Sequence, residues 1–274
     1  MGKLKFEART LDEDIVRDGL CAVAALDNSS VSRQMAFLVG GIATQSYLPS
    51  SCRRPTSDMD LAVRRSLTYS EFRNFAKEAV TWLQDNGYST AVAKGHNAYN
   101  LTFYDPDTHQ ASVIEFARRN AQNFGRIQTR LTREYQNARN KVVEERDARY
   151  TVSSPEDIVV PKILRGIGSL KRHPAFFYLL SSGEAFPITS GDVEKNLQKI
   201  RALRGEAVIH IGDPDLCERL RFESDLYDVR LLAEVIGFNP DYLAESMRDW
   251  GMLGERSDEN RKLVGYLFPN FKIG

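Results

Sequence analysis

The chain has 274 residues, enough for one large domain or two ordinary ones. Hydrophobic residues make up 42% and charged residues 27%, which excludes a disordered or fibrous chain and fits a globular one. Lys+Arg and Asp+Glu both number 37, so a uniformly basic, nucleic-acid-coating protein is excluded and any polyanion must meet a local patch.

Ile15, Leu20, Val23, Ala24 and Leu26 recur at helical spacing and predict an amphipathic helix between Asp12 and Asp27. Met35 to Val39, closed by Gly40-Gly41, predicts a buried strand, and Ile42 to Leu48 a helix stopped by Pro49. Ser50 to Thr56, which carries Arg53 and Arg54, has the composition of an exposed basic loop. Met59 to Val63 is the next strand. Ser70 to Asn86 puts Phe72, Phe75, Ala76, Ala79, Val80 and Leu83 on one helical face, with Gly87 as the stop. Asn100 to Tyr104 and Ala111 to Phe116, joined through Asp105-Pro106-Asp107-Thr108, predict a hairpin. From Arg118 to Arg149 the chain turns long, polar and Arg-rich. A boundary falls at Tyr150 to Asp157, where Pro155 suits the first turn of a helix capped by Ser153 or Ser154. Beyond it, helices are predicted over 157–172, 174–181, 191–203, 213–236 and 240–250. The expected fold class is α+β, with a mixed sheet flanked by helices over 1–150 and a mainly helical domain over 151–274.

Cys21, Cys52 and Cys217 are odd in number and lack metal-type spacing, as expected of reduced thiols in the cytoplasm. The start, Met1-Gly2-Lys3-Leu4-Lys5-Phe6-Glu7, lacks the apolar core of a signal peptide. The greasiest run, Phe176 to Leu180, is far too short to cross a bilayer, so no membrane contact is expected.

Asp58 and Asp60 are the strongest chemical signal. Residues two apart in a strand share a face, so both carboxylates project side by side. Adjacent carboxylates repel, and a divalent cation between them keeps both ionised. Taken alone, Asp-x-Asp at a strand entry is also ordinary turn chemistry. Gly40 and Gly41 precede it at a strand-to-helix turn, where bare N–H groups can face an anion. Together these are equipment for a nucleoside triphosphate. Glu115 is a lone acid inside the apolar run Ser112-Val113-Ile114-Glu115-Phe116, a placement that asks for a cation or a donor.

This order of elements resembles the polymerase-β-like nucleotidyltransferase superfamily, whose hallmark is a glycine turn, a helix, an Asp-x-Asp strand and a third carboxylate on a later strand. Gly40-Gly41 and Asp58-Met59-Asp60 match the first parts, and Glu115 matches the third, where Asp is the commoner residue. The long gap between the glycines and the acids is similar to the branch of AbiEii-type and MenT-type toxins. Two further stretches look like motifs of that branch: Ser153 to Leu164, a capped helix bearing Lys162, and Arg221 to Leu232, a helix bearing Asp225 and Asp228. Here they lie unusually far apart, so 166–219 is taken as an inserted helical segment.

The resemblance implies an N-terminal catalytic domain and a helical C-terminal one. It implies that Asp58, Asp60 and Glu115 hold Mg²⁺ and that Gly40, Gly41, Thr44 and Ser57 cradle the phosphates of an NTP. Lys162 would neutralise triphosphate charge, with Asp228 or Asp225 orienting it; residues three apart share a helix face, so the two stay unseparated. In isolation, the same acids make an ordinary helix ion pair with Arg221 or Arg230. Arg53, Arg54, Arg118 and Arg119 would meet an acceptor; otherwise the Arg-rich segment is a solvated helix. The implied activity is transfer of an NMP to a hydroxyl, with the tRNA 3′ end as acceptor, by a toxin that has a cognate antitoxin protein. Two alternatives stand beside it: the same transfer to a small molecule or protein side chain, and a non-catalytic nucleotide-binding module.

Overall fold

The computed structural model describes residues 7–118, 121–173, 175–176, 192–210, 212–253 and 257–267. The chain divides into two compact units, Met1–Ser154 and Pro155–Gly274.

The first unit is built on one seven-stranded mixed sheet. Its strands are β1 (Ala36–Val39), β2 (Met59–Val63), β3 (Ser89–Lys94), β4 (Ala98–Tyr104), β5 (Ala111–Ala117), β6 (Arg139–Val142) and β7 (Arg149–Val152), in the order β3-β4-β5-β2-β1-β7-β6. The pairs β2/β5 and β1/β7 are parallel and the rest antiparallel. The helices are α1 (Asp14–Ala25), α2 (Gly40–Gln45), α3 (Tyr69–Phe75), α4 (Lys77–Asp85) and α5 (Ala121–Gln136).

Strand alternation gives the sheet two chemically different faces. One carries Leu38, Met59, Leu61, Leu101, Ile114 and Phe116, all fully buried. Phe72 of α3 stacks on Tyr99 of β4 at 4.6 Å and meets Phe116 edge-on at 5.1 Å. The other face carries Phe37 and Ala62, which pack against Phe124 and Leu131 of α5, with Ile127 and Tyr135 alongside. Val39 shares the Phe37 face, two residues on, and its register partner is Asp60. The acid-bearing strand therefore presents its carboxylate on the face that α5 covers farther along the strands.

Local chemistry explains the departures from the sequence reading. The predicted helix over 70–86 is two helices. Thr68 caps α3 in a reciprocal capping box with Glu71, and the helix ends at Ala76 before α4 begins. The stretch 118–149 is not one long polar segment: α5 is followed by the hairpin β6–β7, with Arg139 opposite Val152 and Lys141 opposite Tyr150. Strand β7 pairs with β1 through Leu38 and Val152, which keeps residues 150–154 in the first unit. Strand β3 is a further element that the sequence pattern does not predict. In the supposed exposed basic loop over 50–56, Ser50 and Ser51 are exposed but the two arginines turn inward. Arg53 and Arg54 are each only 7% exposed. The Arg53 guanidinium pairs with Asp12 and Glu144 and donates to the carbonyls of Gln45 and Leu48.

The second unit is helical among its described residues: α6 (Pro155–Arg172), α7 (Val193–Ile209), α8 (Pro214–Val235), α9 (Pro240–Asp249) and α10 (Ser257–Leu267). Helices α6 and α8 pack on each other, and Ile158, Val159, Ile163, Phe222, Leu226 and Val229 on them are all buried. Buried acids tie α6 to α9: Asp157 accepts from Tyr242 and Ser246, and Glu156 accepts from the Asn239 backbone N–H at 2.8 Å. Within the supposed insert 166–219, α6 runs on to Arg172 and α7 packs on α8. Most of the predicted helix over 174–181 lies outside the described residues. No helix among the described residues is long and apolar enough to cross a membrane.

Candidate metal centre

Register brings the acids together. Strand β2 runs parallel to β5 with Asp60 beside Glu115, so the two side chains leave the same face of the sheet on neighbouring strands. Asp58, two residues before Asp60, shares that face. One carboxylate oxygen from each of Asp58, Asp60 and Glu115 lies within 4.8 Å of the others, and all three residues are half-buried. At an effective dielectric of about 20, each pair of ionised groups at that spacing repels by about 3 kcal/mol. Burial pushes the Glu115 carboxyl above its ordinary range, and the Asp58 charge adds to the push. Among the described residues nothing donates a hydrogen bond to Glu115. A cluster of hard anionic oxygens, strained by its own charge, fits a divalent cation such as Mg²⁺.

The glycine turn closes on this cluster. Gly40 adopts φ +75°, a region that residues with a Cβ rarely enter, and a Cβ there would collide with the Asp60 carboxylate. A Cβ on Gly41 would fall 2.7 Å from Thr56 Oγ1. The bare backbone of the turn thus lies against both Asp60 and the segment leading into β2. Thr56 is itself fixed: its backbone exchanges two hydrogen bonds with Arg9, and its hydroxyl donates to Asp58 at 3.3 Å.

The remaining candidate residues are distributed over both units. Thr44 is buried and its hydroxyl donates to the Gly40 carbonyl at 3.0 Å, back-bonding across one helical turn. Ser57 is half-buried at the entry to β2. Arg53 and Arg54 are turned into the fold, because buried carboxylate and carbonyl partners satisfy a guanidinium better than an open loop does. Arg118 is half-buried and donates to the carbonyls of Gly95 and His96. Arg119 lies outside the described residues. In the second unit, Lys162 is 3% exposed and bridges Asp228 at 2.7 Å and Asp225 at 3.3 Å. Arg165 adds two hydrogen bonds to Asp225. The spacing of Asp225 and Asp228 therefore lets both acids reach one ammonium.

Asn100 is a residue that sequence reasoning misses. It stands opposite Glu115 on β4, which extends the row Val39, Asp60, Glu115 by one strand on the same face. Its Oδ1 is buried and accepts no hydrogen bond among the described residues. A neutral amide in a strand gives no signal in sequence; only the register reveals it.

No protein-family model matches the chain, and no curated protein sequence matches it. Among solved structures, it is similar to an antigenic nucleotidyltransferase-like protein from Paracoccidioides brasiliensis. The two share 13% identity and superpose with a TM-score of 0.42 over 92% of this chain and 97% of that one. A likeness that loose identifies neither fold nor activity.

Proposed function

We propose that the chain is a Mg²⁺-dependent nucleotidyltransferase that moves an NMP from an NTP to a hydroxyl, with the tRNA 3′ end as acceptor. The observation that carries this reading is the convergence of Asp58, Asp60 and Glu115 within 4.8 Å, beside a glycine turn whose bare backbone packs against Asp60 and Thr56. Those three carboxylates would hold the metal. Bound there, Mg²⁺ supplies charge neutralisation to the triphosphate and to the attacking hydroxyl. Gly40, Gly41, Thr44 and Ser57 would cradle the phosphates: the bare glycines offer backbone N–H groups beside Asp60, Thr44 steadies their turn, and Ser57 is half-buried at the entry to β2. Lys162, gripped by Asp225 and Asp228, keeps the role of a fixed cation that the resemblance gives it. In the cell, the reading makes this chain a toxin whose effect a cognate antitoxin protein relieves.

The test is incubation with total RNA and each α-labelled NTP in turn, with and without Mg²⁺. Label should enter tRNA-sized RNA only with metal and should vanish with Asp60→Ala. Undiminished transfer by Asp60→Ala, or none with any NTP, would overturn the reading. A second reading keeps the chemistry and changes the acceptor to a small molecule or protein side chain. The burial of Arg53 and Arg54 favours it, since two of the cations allotted to a polynucleotide are committed inside the fold. Label in a low-molecular-weight or protein fraction, with RNA unlabelled, would decide for it.

A further inference from the structure

The acids leave one face of the sheet, and a separate, partly open cavity lies on the other. Leu38 and Val39 point to opposite faces, and Val39 shares the acid row. Leu38 pairs with Val152, so Val152 and Tyr150 lie on the face opposite the carboxylates, and Lys141 joins them as the register partner of Tyr150. On that side a cavity of about 170 Å³ is lined by Arg17, Ser46, Arg53, Lys141, Glu144 and Tyr150, among others.

Its cations are not equally matched. Arg17, Arg53, Lys141 and Glu144 are the charged residues that line it. Arg17 pairs with Asp14 and Glu145, and Arg53 with Asp12 and Glu144. Lys141 makes no ion pair among the described residues; its ammonium stands 4.4 Å from the centre of the Tyr47 ring. Burial and the neighbouring Arg139 both lower its pKa, the signature of an ammonium short of counter-charge. Size narrows the ligand. Ordinary small-molecule clefts run from about 300 Å³ upward. This cavity holds the equivalent of about six waters at roughly 30 Å³ each.

We propose that this cavity binds a small dianion, either inorganic phosphate or the phosphoryl group of a small phosphomonoester, with Lys141 as its counter-ion. The site is independent of the acid cluster, because it opens on the opposite face of the sheet.

Calorimetric titration of the full chain in Mg²⁺-free chloride buffer tests it, with inorganic phosphate and glycerol 3-phosphate as probes. Saturable one-site binding is expected, and the tighter probe identifies the source of the phosphoryl group. Lys141→Met keeps the aliphatic stem and removes the charge, and should weaken binding at least about tenfold. Val142→Glu, at a cavity-lining position that is 59% exposed and so tolerant of a polar side chain, should weaken it by adding a negative charge. Asp60→Ala should leave it unchanged. Absence of binding by both probes overturns the proposal. So does unchanged affinity in both cavity variants, or loss of binding in Asp60→Ala.

Discussion

Gly40 carries two separate demands, and a pair of substitutions can measure them apart. Its positive φ alone disfavours any L side chain by about 1–2 kcal/mol, and the Asp60 carboxylate occupies the space a Cβ would take. Gly87 has φ +88° with nothing within 4 Å of an added Cβ, so Gly87→Ala reports the backbone term alone. Chemical denaturation should therefore show Gly87→Ala losing about 1 kcal/mol and Gly40→Ala distinctly more. Only Gly40→Ala should also lower Mg²⁺ affinity, since it must displace Asp60. Equal losses, with metal affinity intact, would remove the close approach from the argument. Glu115 makes a pH-dependent prediction. Its folded carboxyl titrates above its ordinary value near about 4.3. The metal-free protein thus keeps its full stability below that value and loses part of it as pH rises through the raised folded pKa. Thermal melts in EDTA should show that decline; Mg²⁺ or Glu115→Gln should flatten it. A decline of the same size in Glu115→Gln would assign the effect to another group. At this scale Asp58 and Asp60 are legible in the sequence because alternation along a strand needs no tertiary knowledge. Asn100 is not, since its only significance is its register partner.

At the scale of elements, the sheet's margins are what the sequence conceals. Strand β6 reads Arg-Asn-Lys-Val and lies at the edge, where charged residues blunt an open ladder and erase the apolar alternation that marks a strand. Strand β3 occupies the other edge, mostly exposed, and is silent for the same reason. The strands β1, β2, β4 and β5 are legible because each carries a row of buried apolar residues. Helices α6 and α8 are legible too, and their pairing turns on buried charge. Lys162 at 3% exposure, Asp228 at 1% and Asp225 at 5% form a cluster in which removing Asp228 takes the shorter of the two contacts from a buried ammonium. Breaking such a buried pair costs about 3–5 kcal/mol, whereas replacing both partners by apolar residues can be nearly neutral. Urea denaturation should thus find Asp228→Ala strongly destabilised and Lys162→Met with Asp228→Leu much less so. If the double variant regains stability yet transfers no nucleotide, the cluster has a chemical role beyond holding α6 to α8. If transfer returns with stability, its role is structural alone.

For the whole molecule, the even charge balance hides a sharply uneven distribution. Carboxylates crowd one face of the first unit's sheet, and cations line a cavity on the other. A composition summed along the chain averages the two to nothing; the RNA surface read into the basic segment rests on the resemblance instead. In the structure, its Lys141 faces away from the acids. The division after Ser154 carries the last prediction. All seven strands, all three acids and the glycine turn belong to Met1–Ser154, with a core of their own formed by Phe37, Leu61, Phe72, Phe103 and Phe116. A piece of that length falls within the ordinary range of independently folding domains. Expressed alone, residues 1–154 should melt cooperatively and bind Mn²⁺, as a paramagnetic stand-in for Mg²⁺, within about threefold of the full chain's affinity. Nucleotide transfer should be lost with the Lys162 cluster. Proton relaxation enhancement reads the first and label incorporation the second. Cooperative folding without metal binding would mean that the acid cluster is not a self-sufficient centre, and the Mg²⁺ assignment would fall with it.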